Sequence, residues 1–389
     1  MGDDTSVLRV LSIDGGGTRG IYAAEYLRIL ISDAAKRVGV EPATLDPGKA
    51  FHLIVGTSTG GIVACALAMG RPLDRVVQLY REHAAKIFPE RIPSIPADQP
   101  FVTLRHPLQS SRKIKLLWRF TRKRNELNRR GRVALQSALE AEFGDETFLG
   151  LWKSRRIALC LPAVNVEKAS AWIFKTPHLD GSRGRDDNCR LVDACMATTA
   201  APIYRSLAAV PSGDSELDTN IFVDGGLWAN NPVLVALVEA LRMRDSCDRP
   251  IEVYSMGTCA QRGGDCLSLE EVDQGPIYWQ FGGKAATLGM DAQSHAYDYV
   301  ARFLAKSLPG KCSVFRFRGD TPPASLLPYL SLDEASPAGL SELVKQARHD
   351  ADFTRSKAND PNEPESRFLP KFLSAIAETR MVPKAKMCS

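Results

Sequence analysis

The most constraining feature of the sequence is the stretch 7–20, in which an apolar, β-branched run breaks into three consecutive glycines. The run at 7–13 predicts a buried strand, and the amphipathic pattern that follows predicts a helix. Glycines at such a turn let the backbone pass where side chains would clash, and their amides can point at an anion. We therefore expect an anion-binding turn formed by Gly15, Gly16 and Gly17.

A second glycine-marked turn follows the next apolar run, at 51–55. Ser58 stands between Gly56 and Gly60, and a segment of small apolar residues comes directly after them. A strand, a glycine-flanked serine and a helix in this order are typical of a nucleophile elbow, which presents the serine at a tight turn. The sequence therefore predicts that Ser58 is a nucleophile and that the two glycines allow strand and helix to approach closely.

Asp224 marks a third turn, because it ends the apolar run 221–223 and precedes two glycines. Strands alternate with helices along much of the chain, which predicts an α/β fold with a mostly parallel central sheet and helices on both faces, in three layers. Ligands gather at the carboxyl ends of parallel strands, so Ser58, Asp224 and the first turn should meet there. Together they supply the nucleophile, the base and the oxyanion-binding amides that acyl transfer needs.

The motifs at 14–20, 56–60 and 224–226, in this order, resemble the three signatures of the patatin-like phospholipases. The resemblance implies a patatin-like fold and a Ser–Asp dyad that cleaves fatty-acyl esters of glycerophospholipids, without a metal or an organic cofactor. Ser58 would attack the ester carbonyl, and Asp224 would take its proton directly. The glycine turn would hold the oxyanion, and Arg19 would anchor either that turn or an anionic head group.

A subset of bacterial members that this chain resembles act in antiphage defence and stay inactive until a cyclic nucleotide binds. The expected partners are therefore membrane phospholipids as substrate and a cyclic nucleotide as activator, and self-association into a homo-oligomer stays open. No signal-peptide pattern opens the chain, no apolar run is long enough for a bilayer, and the nine cysteines form no Cys-x-x-Cys pair. We expect a cytoplasmic enzyme that is peripheral to the membrane when active.

The stretch 105–132 is the most biased of the chain, since it is rich in Lys and Arg and has Glu126 as its only acid. It is interpreted either as a solvated insertion or as a basic surface for anionic head groups, with Trp118 and Phe120 entering the membrane boundary. A basic run alone specifies only charge, and we expect no nucleic acid. The stretch would interrupt a catalytic core at 7–260, on which a mainly helical part, 261–389, packs.

Three alternatives remain open. The motif at 15–20 also fits a dinucleotide fingerprint, but the run 51–55 ends without the acid that a ribose needs. The order Ser58, Asp224, His295 is that of an α/β-hydrolase triad, although His295 lies in a helical pattern rather than at a strand end. The third alternative is a non-catalytic binding module of the same fold, against which the intact candidate site argues.

Overall fold

The computed structural model describes residues 7–90, 107–182, 184–211, 218–245, 248–259, 268–269, 272–273, 278–279, 283–308 and 310–380, with the backbone alone along 107–121. All three glycine-marked turns lie within these ranges. The side chains of Trp118 and Phe120 lie outside what is described, so their contact with a membrane stays a prediction.

The described strands are β1 (Leu8–Ile13), β2 (Leu53–Gly56), β3 (Ala158–Asn165), β4 (Ser170–Lys175), β5 (Ala208–Pro211), β6 (Thr219–Asp224), β7 (Ile251–Met256) and β8 (Cys312–Arg316). They form one sheet in the order β5-β6-β3-β2-β1-β7-β8, and β4 also pairs with β3. The strands from β3 through β2, β1 and β7 to β8 are mutually parallel. By contrast, β4 and β6 run antiparallel to β3, and β5 runs antiparallel to β6. The predicted mostly parallel sheet is confirmed.

The described helices are α1 (Gly20–Arg37), α2 (Thr59–Ala68), α3 (Leu73–Ile87), α4 (Pro107–Phe143), α5 (Phe148–Arg155), α6 (Leu191–Thr198), α7 (Gly226–Ala229), α8 (Val233–Met243), α9 (Gly283–Ser307), α10 (Pro337–Lys357) and α11 (Glu365–Ala377). Residues 107–132 of the basic stretch form the first part of α4, which continues to Phe143 without a break. Within the described residues, no helix combines the length and the apolar composition that crossing a bilayer requires.

The sheet separates two apolar cores, because successive side chains of a strand point to opposite faces. On one face Leu11 and Ile13 of β1 pack with α1, α2 and α3. On the other face Leu8 and Val10 pack with α8 and Ala301 of α9. Helices therefore cover both faces, and the predicted three-layer α/β/α fold is confirmed.

One edge of β3 brings two strand ends together. Strand β4 pairs with β3 along 160–165, so it takes one whole edge. On the opposite edge β2 pairs with 158–160 and β6 with 163–165. Because β2 runs parallel to β3 and β6 antiparallel, the carboxyl ends of β2 and β6 point at each other.

The C-terminal part both covers and completes the sheet. Helices α10 and α11 pack on α1. Strand β8 comes from the same part of the chain and pairs in parallel with β7. The division of the chain at residue 260 stays a prediction.

Candidate active site

Ser58 lies in the sharp turn between β2 and α2, and its side chain is 7% exposed. Its φ of 52° and ψ of −128° place a non-glycine residue in a strained region of backbone space. The preceding residue anchors the turn, since the Thr57 amide donates to the Ile13 carbonyl at 3.1 Å and the Thr57 hydroxyl to the Ala229 carbonyl at 2.6 Å. The predicted nucleophile elbow therefore has the expected strand–serine–helix geometry.

Gly56 and Gly60 allow this turn to close. A Cβ on Gly56 would collide with the carbonyl group of Gly60, and a Cβ on Gly60 would collide with the carbonyl oxygens of Ile13 and Asp14. The start of α2 thus lies directly against the end of β1. Both predicted elbow glycines are explained by this close approach.

Asp224 meets Ser58 across the gap between β6 and β2. The Ser58 hydroxyl donates to Oδ2 of Asp224 at 2.6 Å, and the Gly226 amide donates to Oδ1 at 2.7 Å. The Ser58 amide donates to the Thr198 hydroxyl at 2.9 Å, which in turn donates to the Pro162 carbonyl of β3. The nucleophile is therefore held at its backbone and its side chain by different elements.

Burial changes the acidity of Asp224. Removal from water raises the pKa of this carboxyl from 3.8 to about 6, while the hydrogen bonds from Ser58 and Gly226 and the charge of Arg205 act in the opposite direction. The group is consequently ionised at neutral pH but is a stronger base than an exposed aspartate. Such a carboxylate can accept the proton of a serine hydroxyl.

The glycine turn presents two backbone amides to this pair. The carbonyl of Gly15 accepts from the Thr258 hydroxyl at 2.8 Å, and that of Gly16 accepts from Nε of Arg19 at 3.2 Å. Because a trans peptide directs its N–H away from its C=O, the amides of Gly16 and Gly17 point to the other side. Among the described residues no acceptor is hydrogen-bonded to either of them, and both glycines line the same pocket as Ser58.

Two further features fix the shape of the turn. The amide of Gly15 is already used, because it donates to the Asn230 carbonyl at 2.9 Å. Gly17 has a φ of +58°, and a Cβ there would collide with the carbonyl of Leu332. The donors that face the pocket are thus those of Gly16 and Gly17, and Gly15 connects the turn to the segment after α7.

The buried Arg19 and the half-buried Arg316 support the turn from the side opposite the pocket. Arg19 binds the Gly16 carbonyl, and burial lowers the pKa of its guanidinium. Arg316 at the end of β8 donates to both carboxylate oxygens of Asp14, at 3.3 and 2.5 Å, and to the Ser255 hydroxyl at 2.8 Å. Of the two roles predicted for Arg19, these contacts favour the anchor of the turn.

An apolar pocket, part of it open to solvent, adjoins Ser58, Asp224 and the two amides. Its walls come from α2, α3, the loop after α6 and single residues of α4 and α9. The apolar side chains that line it include Ile62, Leu79, Ile87, Phe88, Leu135, Met290 and Leu332. A pocket of this composition suits a fatty-acyl chain and excludes water from the dyad.

His295 lies apart from this pocket. It is exposed on α9 and lines a separate polar cleft together with Asp14 and Asp291. Asp224 bonds directly to Ser58 with no imidazole between them. The geometry therefore favours the dyad over the triad.

One cluster offers donor atoms of the kind that bind metals. Ligand atoms of Cys160, His178 and Glu239 lie within 4.8 Å of one another. Glu239 is already paired, however, with Lys175 at 3.0 Å and with His178 at 3.3 Å, and these contacts lower its pKa to about 2 against the effect of burial. The cluster is complete as an ion-pair network that joins β3, β4 and α8.

Sequence reasoning did not find three residues that build the site. Thr198 ends an unremarkable small-residue helix, and Arg316 lies in a short strand far along the chain. Thr258 follows the strand β7 at a position that only the family resemblance covers. Thr198 and Thr258 bind backbone groups of distant turns, and Arg316 binds the side chains of Asp14 and Ser255. No local pattern therefore indicates their role.

Comparison with known proteins places these motifs in a family. The family model described as patatin-like phospholipase matches residues 11–237. The chain is 28% identical over 366 residues to the cGAMP-activated phospholipase of Vibrio cholerae, an alignment that covers 90% of this chain and 93% of that protein. It is 30% identical over 298 residues to the protein of the same name from Pseudomonas aeruginosa, covering 75% and 74%. The chain belongs to the patatin-like phospholipase family.

Proposed function

We propose that this protein hydrolyses fatty-acyl esters of glycerophospholipids with Ser58 as nucleophile and Asp224 as base. The observation that carries the proposal is the 2.6 Å hydrogen bond between Ser58 Oγ and Asp224 Oδ2, beside two unoccupied amides and an apolar pocket. Membership of a family of lipid hydrolases supports the same reaction class.

The first half of the reaction forms an acyl-enzyme. Ser58 Oγ attacks the ester carbonyl carbon while its proton passes to Oδ2 of Asp224. The amides of Gly16 and Gly17 donate to the oxygen that becomes negative, and the N-terminus of α2 adds a favourable dipole. When the intermediate collapses, the C–O bond of the ester breaks and the leaving alcohol takes the proton from Asp224.

The second half releases the fatty acid. Asp224, again ionised, accepts a proton from a water molecule that attacks the acyl carbonyl, and the same two amides hold the second oxyanion. Collapse breaks the bond to Ser58 Oγ, which recovers its proton from Asp224. The products are a free fatty acid and a lysophospholipid.

The surface near the pocket supports action at a membrane. Ile203 and Leu207 are apolar side chains that are 48% and 51% exposed in the loop before β5. Arg124 of the basic helix α4 donates to the carbonyls of Ile203 and Tyr204, at 3.3 and 3.4 Å. Exposed apolar residues beside a cationic helix suit an anionic bilayer surface, so we place the active protein at the membrane periphery.

We further infer that a cyclic dinucleotide switches the activity on. The support is the resemblance to relatives named cGAMP-activated phospholipases, which extends over about nine tenths of both chains for the Vibrio cholerae protein. An activator-dependent enzyme that degrades membrane lipids suits a role in antiphage defence. Addition of cGAMP should increase both the rate of hydrolysis and the melting temperature; if neither changes across a panel of cyclic nucleotides, the activator is excluded.

Mass spectrometry of the lipid products tests the hydrolase itself. Vesicles of mixed phospholipids should yield free fatty acid and lysophospholipid with the natural protein in the presence of cGAMP, and much less of both without it. Ser58→Ala should abolish both products, because it removes the nucleophile. Ser356→Ala, a change at an exposed serine of α10, is the matched control and should leave them unchanged. Hydrolysis that survives Ser58→Ala refutes the assignment of the nucleophile.

A further inference from the structure

Arg205 is a cation inside the apolar pocket that the reaction above does not use. It lies in the loop between α6 and β5, is 7% exposed and lines the same pocket as Ser58 and Asp224. Its amide donates to the Ala201 carbonyl at 2.9 Å, which holds the loop in a tight turn. The guanidinium is thus placed by the backbone beside the dyad.

Among the described residues this guanidinium has no carboxylate partner, unlike two half-buried arginines of the molecule. Its Nε is buried and has no hydrogen-bond partner among the described residues. Elsewhere in the molecule Arg155 donates to both carboxylate oxygens of Asp46, at 2.7 and 2.6 Å, and Arg316 does the same to Asp14. A buried charge without such a partner is costly, and the contrast indicates that a ligand completes the site.

The dyad does not supply the missing partner of the Arg205 guanidinium. The carboxylate of Asp224 is occupied by the Ser58 hydroxyl and the Gly226 amide. Burial lowers the pKa of Arg205 to about 10, with the charge of Asp224 opposing that shift, so the side chain stays cationic at neutral pH. Its remaining surroundings in the pocket are apolar or uncharged, such as Phe88 below the guanidinium.

We propose that Arg205 binds an oxyanion of the lipid inside the active-site pocket: the phosphate of the glycerophospholipid or the carboxylate of the released fatty acid. Both groups match the planar donor set of a guanidinium. The proposal rests on the proposed function, because it requires a lipid ester at Ser58. An anion on Arg205 also offsets the positive charge beside Asp224, which strengthens that carboxylate as a base.

Two substrates with the same acyl chains, one with and one without an anionic head group, test the idea. Arg205→Gln should lower kcat/KM for a diacyl phosphatidylglycerol by about 10- to 100-fold, the effect of losing a charge-assisted hydrogen bond. Hydrolysis of the neutral diacylglycerol with the same chains should change less than about threefold if the phosphate is the ligand. Arg205→Lys should restore part of the phospholipid activity, and Arg37→Gln at the exposed end of α1 is the control.

Inhibition by reaction products shows whether the ligand of Arg205 is the fatty-acid carboxylate rather than the lipid phosphate. If the carboxylate is the ligand, Arg205→Gln weakens inhibition by free fatty acid about tenfold or more and leaves inhibition by the fatty alcohol of the same length unchanged. Equal losses on charged and neutral substrates, with unchanged fatty-acid inhibition, overturn the proposal. If Arg205→Gln does not fold, as judged by its melting temperature, Arg205→Lys is compared with Arg37→Lys in the same assays.

The two proposals fail in different ways. If the natural protein hydrolyses no lipid ester, the proposed function is wrong, whatever Arg205 does. Calorimetric binding of a fatty acid and its alcohol to the Ser58→Ala protein then still measures the anion site, because it needs no turnover. Equal affinity for the acid and the alcohol in that measurement overturns the site.

Discussion

The two strand ends that form the dyad reach their positions by different means. Strand β2 belongs to the parallel part of the sheet and delivers Ser58 through a strained turn whose φ is 52°. Strand β6 runs antiparallel to β3 and delivers Asp224 without unusual backbone geometry. The nucleophile is therefore positioned by its backbone, whereas the base is tuned by burial, which raises its pKa to about 6.

Their meeting point is set by the register of β3. Ala158 to Cys160 pair with β2, and Ala163 pairs with Asp224 on the same edge. Thr198 bridges the junction, since it binds both the Ser58 amide and the Pro162 carbonyl. The dyad needs both strand ends, Ser58 at the end of β2 and Asp224 at the end of β6. Substitutions at each end should therefore show separately how the nucleophile is positioned and how the basicity of Asp224 is set.

The largest loss of activity is expected from a substitution of Asp224. Asp224→Asn preserves the shape of the side chain but removes the base, and kcat should fall about 10³-fold or more, since base and nucleophile act as one unit. Hydrolysis of a fluorogenic ester measures it. His295→Ala is the matched control and should retain nearly full activity; a comparable loss there would show that the carboxylate does not act alone.

The second largest effect is expected at the glycine turn, whose amides lie beside Ser58. Gly17→Ala places a Cβ against the Leu332 carbonyl at a φ of +58°, which displaces the turn and its donors. We expect kcat to fall about 10²-fold, as for loss of an oxyanion donor. Gly39→Ala has a similar φ of +64° with open space around it, so it should lower stability alone. Equal activity of the two variants would remove Gly17 from the site.

A smaller loss is expected at the junction. Thr198→Val removes the acceptor of the buried Ser58 amide, and such an orphaned donor costs about 1–3 kcal/mol. Activity should fall by about 10- to 100-fold, with a lower melting temperature. Thr199→Val removes hydrogen bonds to the Cys195 and Met196 carbonyls of the preceding helix but leaves the Ser58 amide paired, so it serves as the comparison. If both variants behave alike, Thr198 does not position the nucleophile.

The smallest effect is the dependence of activity on pH through the ionisation of Asp224. Because Asp224 acts ionised and its pKa is about 6, kcat/KM should fall about tenfold between pH 7 and pH 5. The same shift opposes stability at neutral pH: the folded state binds this proton more tightly than the unfolded state does. The raised pKa of Asp224 therefore contributes about 2–3 kcal/mol to the free energy of unfolding below pH 3.8, and this contribution is lost as the pH rises through about 6.

Stability measurements provide the check on that sign. Asp224→Asn should unfold at a higher urea concentration than the natural protein at pH 7, because the amide carries no buried charge. The difference should shrink as the pH approaches 4. A natural protein that is instead the more stable of the two at pH 7 would show that the carboxylate is stabilised in its charged form.

The sequence by itself determined the local parts of the site. A sharp turn between a buried strand and a helix leaves little room for side chains, so the glycines around Ser58 and the run at 15–17 are visible as a pattern. The alternation of strands and helices likewise determined the three-layer fold. These features depend on neighbours in the chain, and the structure confirms the fold that they predict.

Only the tertiary structure decided which groups meet. Ser58 and Asp224 are 166 residues apart, and they touch because β6 pairs antiparallel with β3 rather than because all strand ends share one parallel edge. The same packing produces three further features: the hydrogen bond between the Ser58 amide and Thr198, the separation of His295 from the pocket, and the Nε of Arg205, which has no hydrogen-bond partner among the described residues. Contacts across such distances depend on strand order and register, which no local sequence pattern specifies.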